Sequence, residues 1–190
     1  MRVIAGTARR LQLKTPEGSD TRPTTDRIKE TLFNMLQDDV PGGVFLDLFS
    51  GSGGIGIEAL SRGAKKAYFV ENDRRAINCI EENLKHTRLT EDAIVLKQDA
   101  LTALQYSIRE PVDVVFADPP YQKGYHRMIL SAAVRSEAVT ENTLLIIEET
   151  KEEDFSFCHE LGFEILKEKI YKSNKHVFLK KGVMQQGGYE

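Results

Sequence analysis

At 190 residues, with 41% hydrophobic and 29% charged residues, the chain is long enough for one domain whose sheet is covered by helices on both faces. No stretch reaches the apolar length of a membrane span, and the N-terminus lacks the apolar core of a secretory signal, so a cytoplasmic protein without a membrane partner is expected. The net charge of −3 excludes a uniformly basic surface but leaves room for a segregated nucleic-acid face, while the isolated Cys79 and Cys158 and the scattered His86, His126, His159 and His176 show no metal-ligand or disulfide spacing.

The first 22 residues hold two short β-prone segments, Arg2-Val3-Ile4 and Leu11-Gln12-Leu13, punctuated by Gly6, Pro16 and Gly18, which predicts a hairpin-like arm. Up to Glu30 the cations Arg2, Arg9, Arg10, Lys14, Arg22, Arg27 and Lys29 outnumber the acids Glu17, Asp20, Asp26 and Glu30, giving a net +3 arm on an acidic body. After Pro23, Thr24 or Thr25 is placed to cap a helix whose Ile28, Leu32, Met35 and Leu36 recur at helical spacing and which ends before Pro41-Gly42-Gly43. Residues 1–41 thus form an N-terminal extension, residues 42–182 the main domain, and residues 183–190 a loose tail.

From Val44 onward strands and helices alternate as in a doubly wound, Rossmann-like α/β sheet. Strands are expected near 44–49, 66–71, 93–97, 112–117 and 142–149, and helices near 54–62, 73–87, 100–107, 123–136 and 151–161. The closing segments 162–171 and 175–181, separated by Lys172-Ser173-Asn174, predict an antiparallel pair.

Leu46-Asp47-Leu48-Phe49-Ser50-Gly51-Ser52-Gly53-Gly54-Ile55-Gly56 follows the first strand and opens a helix. Gly51, Gly53 and Gly56 fit the G-x-G-x-x-G dinucleotide fingerprint, and Glu71 ends the second strand where a ribose-binding acid belongs. An NAD-dependent dehydrogenase is therefore one reading. Asp47 opposes it, because a carboxylate at the mouth of the turn repels a pyrophosphate but favours S-adenosylmethionine, which has no phosphate and carries an ammonium and a sulfonium cation. The candidate cofactor residues are Asp47, Phe49, Ser50, Gly51, Gly53, Glu71 and Asn72, with Asp99 and Ala100 placed to meet the adenine; a plain helix cap is the other reading of Asp99.

Asp118-Pro119-Pro120-Tyr121 ends the apolar run Val112-Asp113-Val114-Val115-Phe116-Ala117, at the carboxyl end of a buried strand, where open α/β sheets bind ligands. Two prolines stop the strand and stiffen the turn. The product is a carboxylate, a carbonyl and an aromatic ring on one rigid corner, a receptor for a planar group bearing NH2. Asp118 and the Pro119 carbonyl can orient such an amine, Pro120 holds the turn, and Tyr121 can stack on the base. A strand-ending turn with a solvated Asp is the alternative.

Together Asp47…Gly51-Ser52-Gly53, Glu71, Asp99 and Asp118-Pro119-Pro120-Tyr121 resemble the class I S-adenosylmethionine-dependent methyltransferases of the amino-nucleobase type. Arg22-Pro23-Thr24-Thr25-Asp26-Arg27, Glu30-Thr31-Leu32-Phe33-Asn34 and Ile57-Glu58-Ala59-Leu60-Ser61-Arg62-Gly63-Ala64 narrow the resemblance to the bacterial 16S rRNA guanine-N2 methyltransferases that modify guanine 966. The resemblance implies a seven-stranded sheet with a reversed last strand and a substrate presented by the small ribosomal subunit or its assembly intermediate. It also implies that Thr24, Arg27 and Phe33 belong to a segment beside the cofactor, and that an arm containing Arg2, Arg9, Arg10, Lys14 and Arg22 helps hold 16S rRNA. One departure stands out: where the family commonly has a Trp-Arg-Gly-Arg-Lys-Leu type stretch, this chain reads Ala8-Arg9-Arg10-Leu11-Gln12-Leu13 and has no tryptophan. Two other readings stay open, an adenine-N6 methyltransferase on DNA or RNA and a catalytically silent RNA or ribosome-assembly module. A monomer is expected.

Overall fold

A computed structural model describes residues 1–16 and 26–182. The β-branched and aromatic runs form strands β1 (Val44–Leu48), β2 (Lys66–Glu71), β3 (Ala93–Lys97), β4 (Val114–Ala117) and β5 (Leu144–Thr150), followed by β6 (Phe163–Ile170) and β7 (Asn174–Lys181). They join in one seven-stranded sheet of order β3-β2-β1-β4-β5-β7-β6. The first five pair in parallel, and β7 is antiparallel to both β5 and β6. The expected sheet and its reversed last strand are therefore present. The strand order turns back between β1 and β4, the crevice where sheets of this kind bind ligands.

Strand periodicity divides the core into two layers. Leu46, Leu48, Val70, Val115, Ala117, Leu145 and Ile147 point to one face, covered by α4 (Ala100–Thr102) and α5 (Tyr125–Val134). Phe45, Phe69, Val114, Phe116, Leu144, Ile146 and Phe178 point to the other, covered by α1 (Asp26–Met35), α2 (Gly54–Ser61) and α3 (Arg74–Thr87). Among the described residues, no helix is long and apolar enough to cross a membrane.

Two expected helices differ. The segment expected at 151–161 is a turn followed by a 3-10 helix, Ser156–Leu161. Asp154 accepts hydrogen bonds from the Ser156 amide (3.0 Å) and hydroxyl (2.6 Å), a local alternative to the helical ladder, and Phe155 and Phe157 are both buried although two residues apart, which a helix face does not permit. The helix expected at 100–107 is one α-turn that widens into a π-turn over Ala103–Ser107, where the Ile108 amide reaches back to the Ala103 carbonyl at 3.3 Å. Thr24 and Thr25, expected to cap α1, and the tail 183–190 lie outside the described residues.

The arm is a narrow loop with one antiparallel bridge, Arg2 to Gln12, and Val3, Ala8 and Leu13 sink into the same core layer as α1 and α2. A buried ion cluster fastens it. Glu58 of α2 accepts the amides of Ile4 (2.8 Å) and Ala5 (3.0 Å), and its carboxylate meets Lys29 Nζ at 3.1 Å and Arg62 Nε at 2.8 Å. Lys29, fully buried, also donates to the Arg2 carbonyl at 2.6 Å. Burial pushes the Lys29 amine down, and Glu58 only partly offsets this. Ser61 completes the fastening by donating to the Ala5 carbonyl at 2.6 Å and accepting the Ala8 amide at 3.0 Å.

Candidate active site

On the α1–α3 face, the position two residues beyond a core side chain is an acid on four neighbouring strands. Glu71 follows Phe69, Asp47 follows Phe45, Asp118 follows Phe116 and Glu148 follows Ile146. Strand registry sets Phe69 opposite Asp47, Asp47 opposite Phe116 and Phe116 opposite Ile146, so the acids form a row along the carboxyl edge of the sheet across β2, β1, β4 and β5, with Asp47 one step deeper. Parallel strands lie about 4.8 Å apart, so each acid feels the next.

The glycine turn lies over this row. Asp47 is 2% exposed and accepts the Gly56 amide at 2.9 Å, so it braces the first turn of α2 from below instead of standing at the mouth of the loop. Burial, reinforced by the Glu71 charge and opposed by the Gly56 bond, pushes the Asp47 carboxyl up to about 8. Glu71 accepts the amide of Gly51 (2.9 Å) through one oxygen and those of Asn72 (2.8 Å) and Asp73 (2.9 Å) through the other, tying the two loops together. Ser50 donates its hydroxyl to the Asp47 carbonyl at 2.7 Å. Phe49 has a left-handed backbone (φ 60°), a sparsely populated state for an aromatic residue, with its ring edge-on to Tyr125 at 5.3 Å. Gly51 and Gly53 are also left-handed (φ 54° and 81°), and the space above Gly51 is open. At Gly56 a Cβ would stand 2.4 Å from the Phe69 ring, so glycine is needed there for helix–sheet packing. Asp99 caps α4 through the Thr102 amide at 2.9 Å, and Ala100 is buried behind it.

Asp118 is half-buried at the rigid corner. Burial, and then the charges of Glu148, Asp47 and Glu149, raise its carboxyl well above the usual range. Tyr121 is 37% exposed, with its hydroxyl donating to Glu148 at 2.5 Å. Glu148 also accepts Asn174 Nδ2 at 2.6 Å and lies 2.8 Å from His176 Nε2. Burial alone would raise Glu148, but the bonds from His176, Tyr121 and Asn174 outweigh it and hold this carboxyl below its ordinary value. The neighbouring pair is thus split: Asp118 retains its proton readily, Glu148 does not.

The arm and the start of α1 place Arg2, Arg9, Arg10 and Arg27 around a cavity of about 480 Å³ also lined by Val3, Ile4, Asp26 and Glu30. Arg2 is engaged with Asp26 at 2.9 Å. Lys14 stands apart, paired with Glu82 at 2.6 Å. Phe33, expected beside the cofactor, is a wholly buried core residue stacked on Phe45 at 6.1 Å, whereas Arg27 lines the cavity. Arg22 and Thr24 lie outside the described residues.

Sequence reasoning missed Glu148, Asn174 and His176. The signal was a pair of acids, Glu148 and Glu149, ending an otherwise apolar strand, together with the polar run Asn174-Lys175-His176 that opens the last one.

A family model described as Conserved hypothetical protein 95 matches residues 1–180. A candidate rRNA methyltransferase of Bacillus subtilis is 40% identical over 154 residues, covering 80% of this chain and 84% of that protein. The ribosomal RNA small subunit methyltransferase D of Haemophilus influenzae is 37% identical over 171 residues, 89% of this chain and 88% of that one. Among solved structures, a candidate methyltransferase from Escherichia coli superposes with a TM-score of 0.81 at 30% identity, covering 96% of this chain and 98% of the other. The chain belongs to the Conserved hypothetical protein 95 family, the family of the ribosomal RNA small subunit methyltransferases D.

Proposed function

We propose that the protein transfers a methyl group from S-adenosylmethionine to the exocyclic N2 of guanine 966 in 16S rRNA, presented by the small ribosomal subunit or an assembly intermediate. The observation that carries this reading is the row of carboxylates under an open glycine turn, ending at Asp118 on the Pro119-Pro120 corner. Burial and mutual repulsion disfavour the ionised form of Asp47 and Asp118, and a ligand bringing ammonium and sulfonium charges restores it, so the row suits such a cation and gains nothing from a pyrophosphate. When bound, S-adenosylmethionine supplies an electrophilic methyl group.

The chain's own part is positioning. Asp118 and the Pro119 carbonyl accept the hydrogens of the amine, so that its lone pair is free to face the donor. Tyr121 stacks on the base, which must leave its helix to reach the corner, and such stacking contributes about 1–3 kcal/mol. The four-arginine cavity at the start of α1 offers the positive charge that an RNA backbone needs. The names of the relatives favour ribosomal RNA over DNA as the substrate.

The test is Asp118→Ala. It should bind S-adenosylmethionine and fail to methylate small-subunit RNA; wild-type transfer by this variant would refute the role of Asp118. Nucleoside mass spectrometry of RNA and DNA from cells with and without the gene identifies the base, and loss of N6-methyladenine with N2-methylguanine intact would replace guanine with adenine as the target.

A further inference from the structure

Base positioning by Asp118 and Tyr121 leaves the polar cluster behind them without a task. That cluster is built across the reversed strand: Glu148 of β5 stands directly opposite His176 of β7. Glu148 is 5% exposed, yet three donors converge on it, from Tyr121 (2.5 Å), Asn174 (2.6 Å) and His176 (2.8 Å). His176 is itself fixed edge-on against Phe116, at 5.7 Å between ring centres, two residues before Asp118. Of the three donors only Tyr121 is exposed, and it is also the one on the base-receiving corner.

We propose that Glu148 is a positioning residue for methyl transfer: held by Asn174 and His176, it anchors the Tyr121 hydroxyl so that the aromatic ring stands at a fixed angle over the Asp118 corner. This rests on the base-methylation reading of the site. A tyrosine ring on a solvent-facing turn otherwise samples several rotamers, and most of them do not cover the base. With its hydroxyl tied to a buried carboxylate, the ring presents one stacking surface. The reversed hairpin β6–β7 then belongs to the active site, because it delivers Asn174 and His176 to Glu148.

The test compares Glu148→Ala, Glu148→Gln, Tyr121→Phe and the double variant Glu148→Ala/Tyr121→Phe in methyl transfer to small subunits, with S-adenosylmethionine binding measured by calorimetry. Loss of alignment should lower kcat roughly 10- to 100-fold in Glu148→Ala, leaving the affinity for S-adenosylmethionine within about twofold. Tyr121→Phe keeps the ring and removes only the anchor, so it should show a similar loss, and the double variant should be no slower than the slower single one. Glu148→Gln retains an acceptor for the hydroxyl and should recover most of the rate. Losses that multiply in the double variant, or a wild-type rate in Tyr121→Phe, would overturn the proposal, and the latter variant decides the matter even if Glu148→Ala does not fold. An inactive wild-type protein on every RNA and DNA substrate would instead overturn the methyltransferase reading itself.

Discussion

Replacing Asp47 with asparagine should make the protein more stable and, in the same step, weaken its cofactor site. Folding takes this carboxyl from 3.8 to about 8 because it is buried, with one amide bond as compensation and Glu71 beside it. At neutral pH the folded chain keeps a proton that the unfolded chain has released. At about 1.36 kcal/mol per unit over the roughly three units between the unfolded value and pH 7, the penalty is about 4 kcal/mol. Because the folded value is the higher one, this stability is fully present below 3.8, is lost progressively as pH rises, and levels off above about 8. Asparagine carries no charge and keeps an oxygen for the Gly56 amide, but its NH2 group is left without a partner at a cost of about 1–3 kcal/mol. The net gain at pH 7 is therefore about 1–3 kcal/mol. At about pH 5 most of the penalty in the parent chain has gone, so the advantage of the variant should shrink by about 2–3 kcal/mol. Urea unfolding followed by far-ultraviolet circular dichroism at both pH values measures the difference directly. An advantage of equal size at the two pH values would refute the buried-carboxyl argument, and undiminished S-adenosylmethionine affinity would refute the part assigned to the negative charge that Asp47 takes up beside the cationic cofactor.

Three other outcomes are expected. Glu58→Ala leaves Lys29 buried without its carboxylate and frees the Ile4 and Ala5 amides, so thermal unfolding should show a loss of about 3–5 kcal/mol. Gly6→Ala sets a Cβ 1.6 Å from the Ser61 carbonyl oxygen at a positive φ, which should cost upward of 1–3 kcal/mol and loosen the arm, detectable as faster proteolysis near residue 6. Arg9→Ala and Arg10→Ala should each weaken RNA binding with little effect on S-adenosylmethionine, and the slope of log K against log salt should fall by up to about 1 for each phosphate that is no longer neutralised.

The sheet was readable because buried parallel strands are near-continuous apolar runs, and Phe45, Phe69, Phe116 and Ile146 lie in such runs. The glycine turn and the proline corner were readable because both depend on local backbone chemistry. The 151–161 segment departs from its expected helix because the side chain of Asp154 and the burial of Phe155 and Phe157 override a helix-permissive composition. Glu148 and His176 could not be joined from sequence, since their meeting depends on β7 inserting antiparallel beside β5 across 28 residues. Lys29 and Glu58 were hidden for a related reason: charged residues on helices usually face water, and only the packing of α1 and the arm on α2 encloses these two.

That enclosure bears on how RNA is met. The arm cannot swing outward without breaking the bonds from the Ile4 and Ala5 amides to Glu58 and from Lys29 to the Arg2 carbonyl and lifting Val3, Ala8 and Leu13 out of the core, so the arginine-lined cavity is a rigid template and not a tether that folds around its partner. The conformational entropy of ordering those arginines' backbone is lost when the chain folds, and little remains to be lost at encounter. Association should then depend on ionic strength while showing only a small heat-capacity change from the arm. A partly assembled subunit with a mobile target loop would have to adapt to the protein, and the protein would not adapt to it.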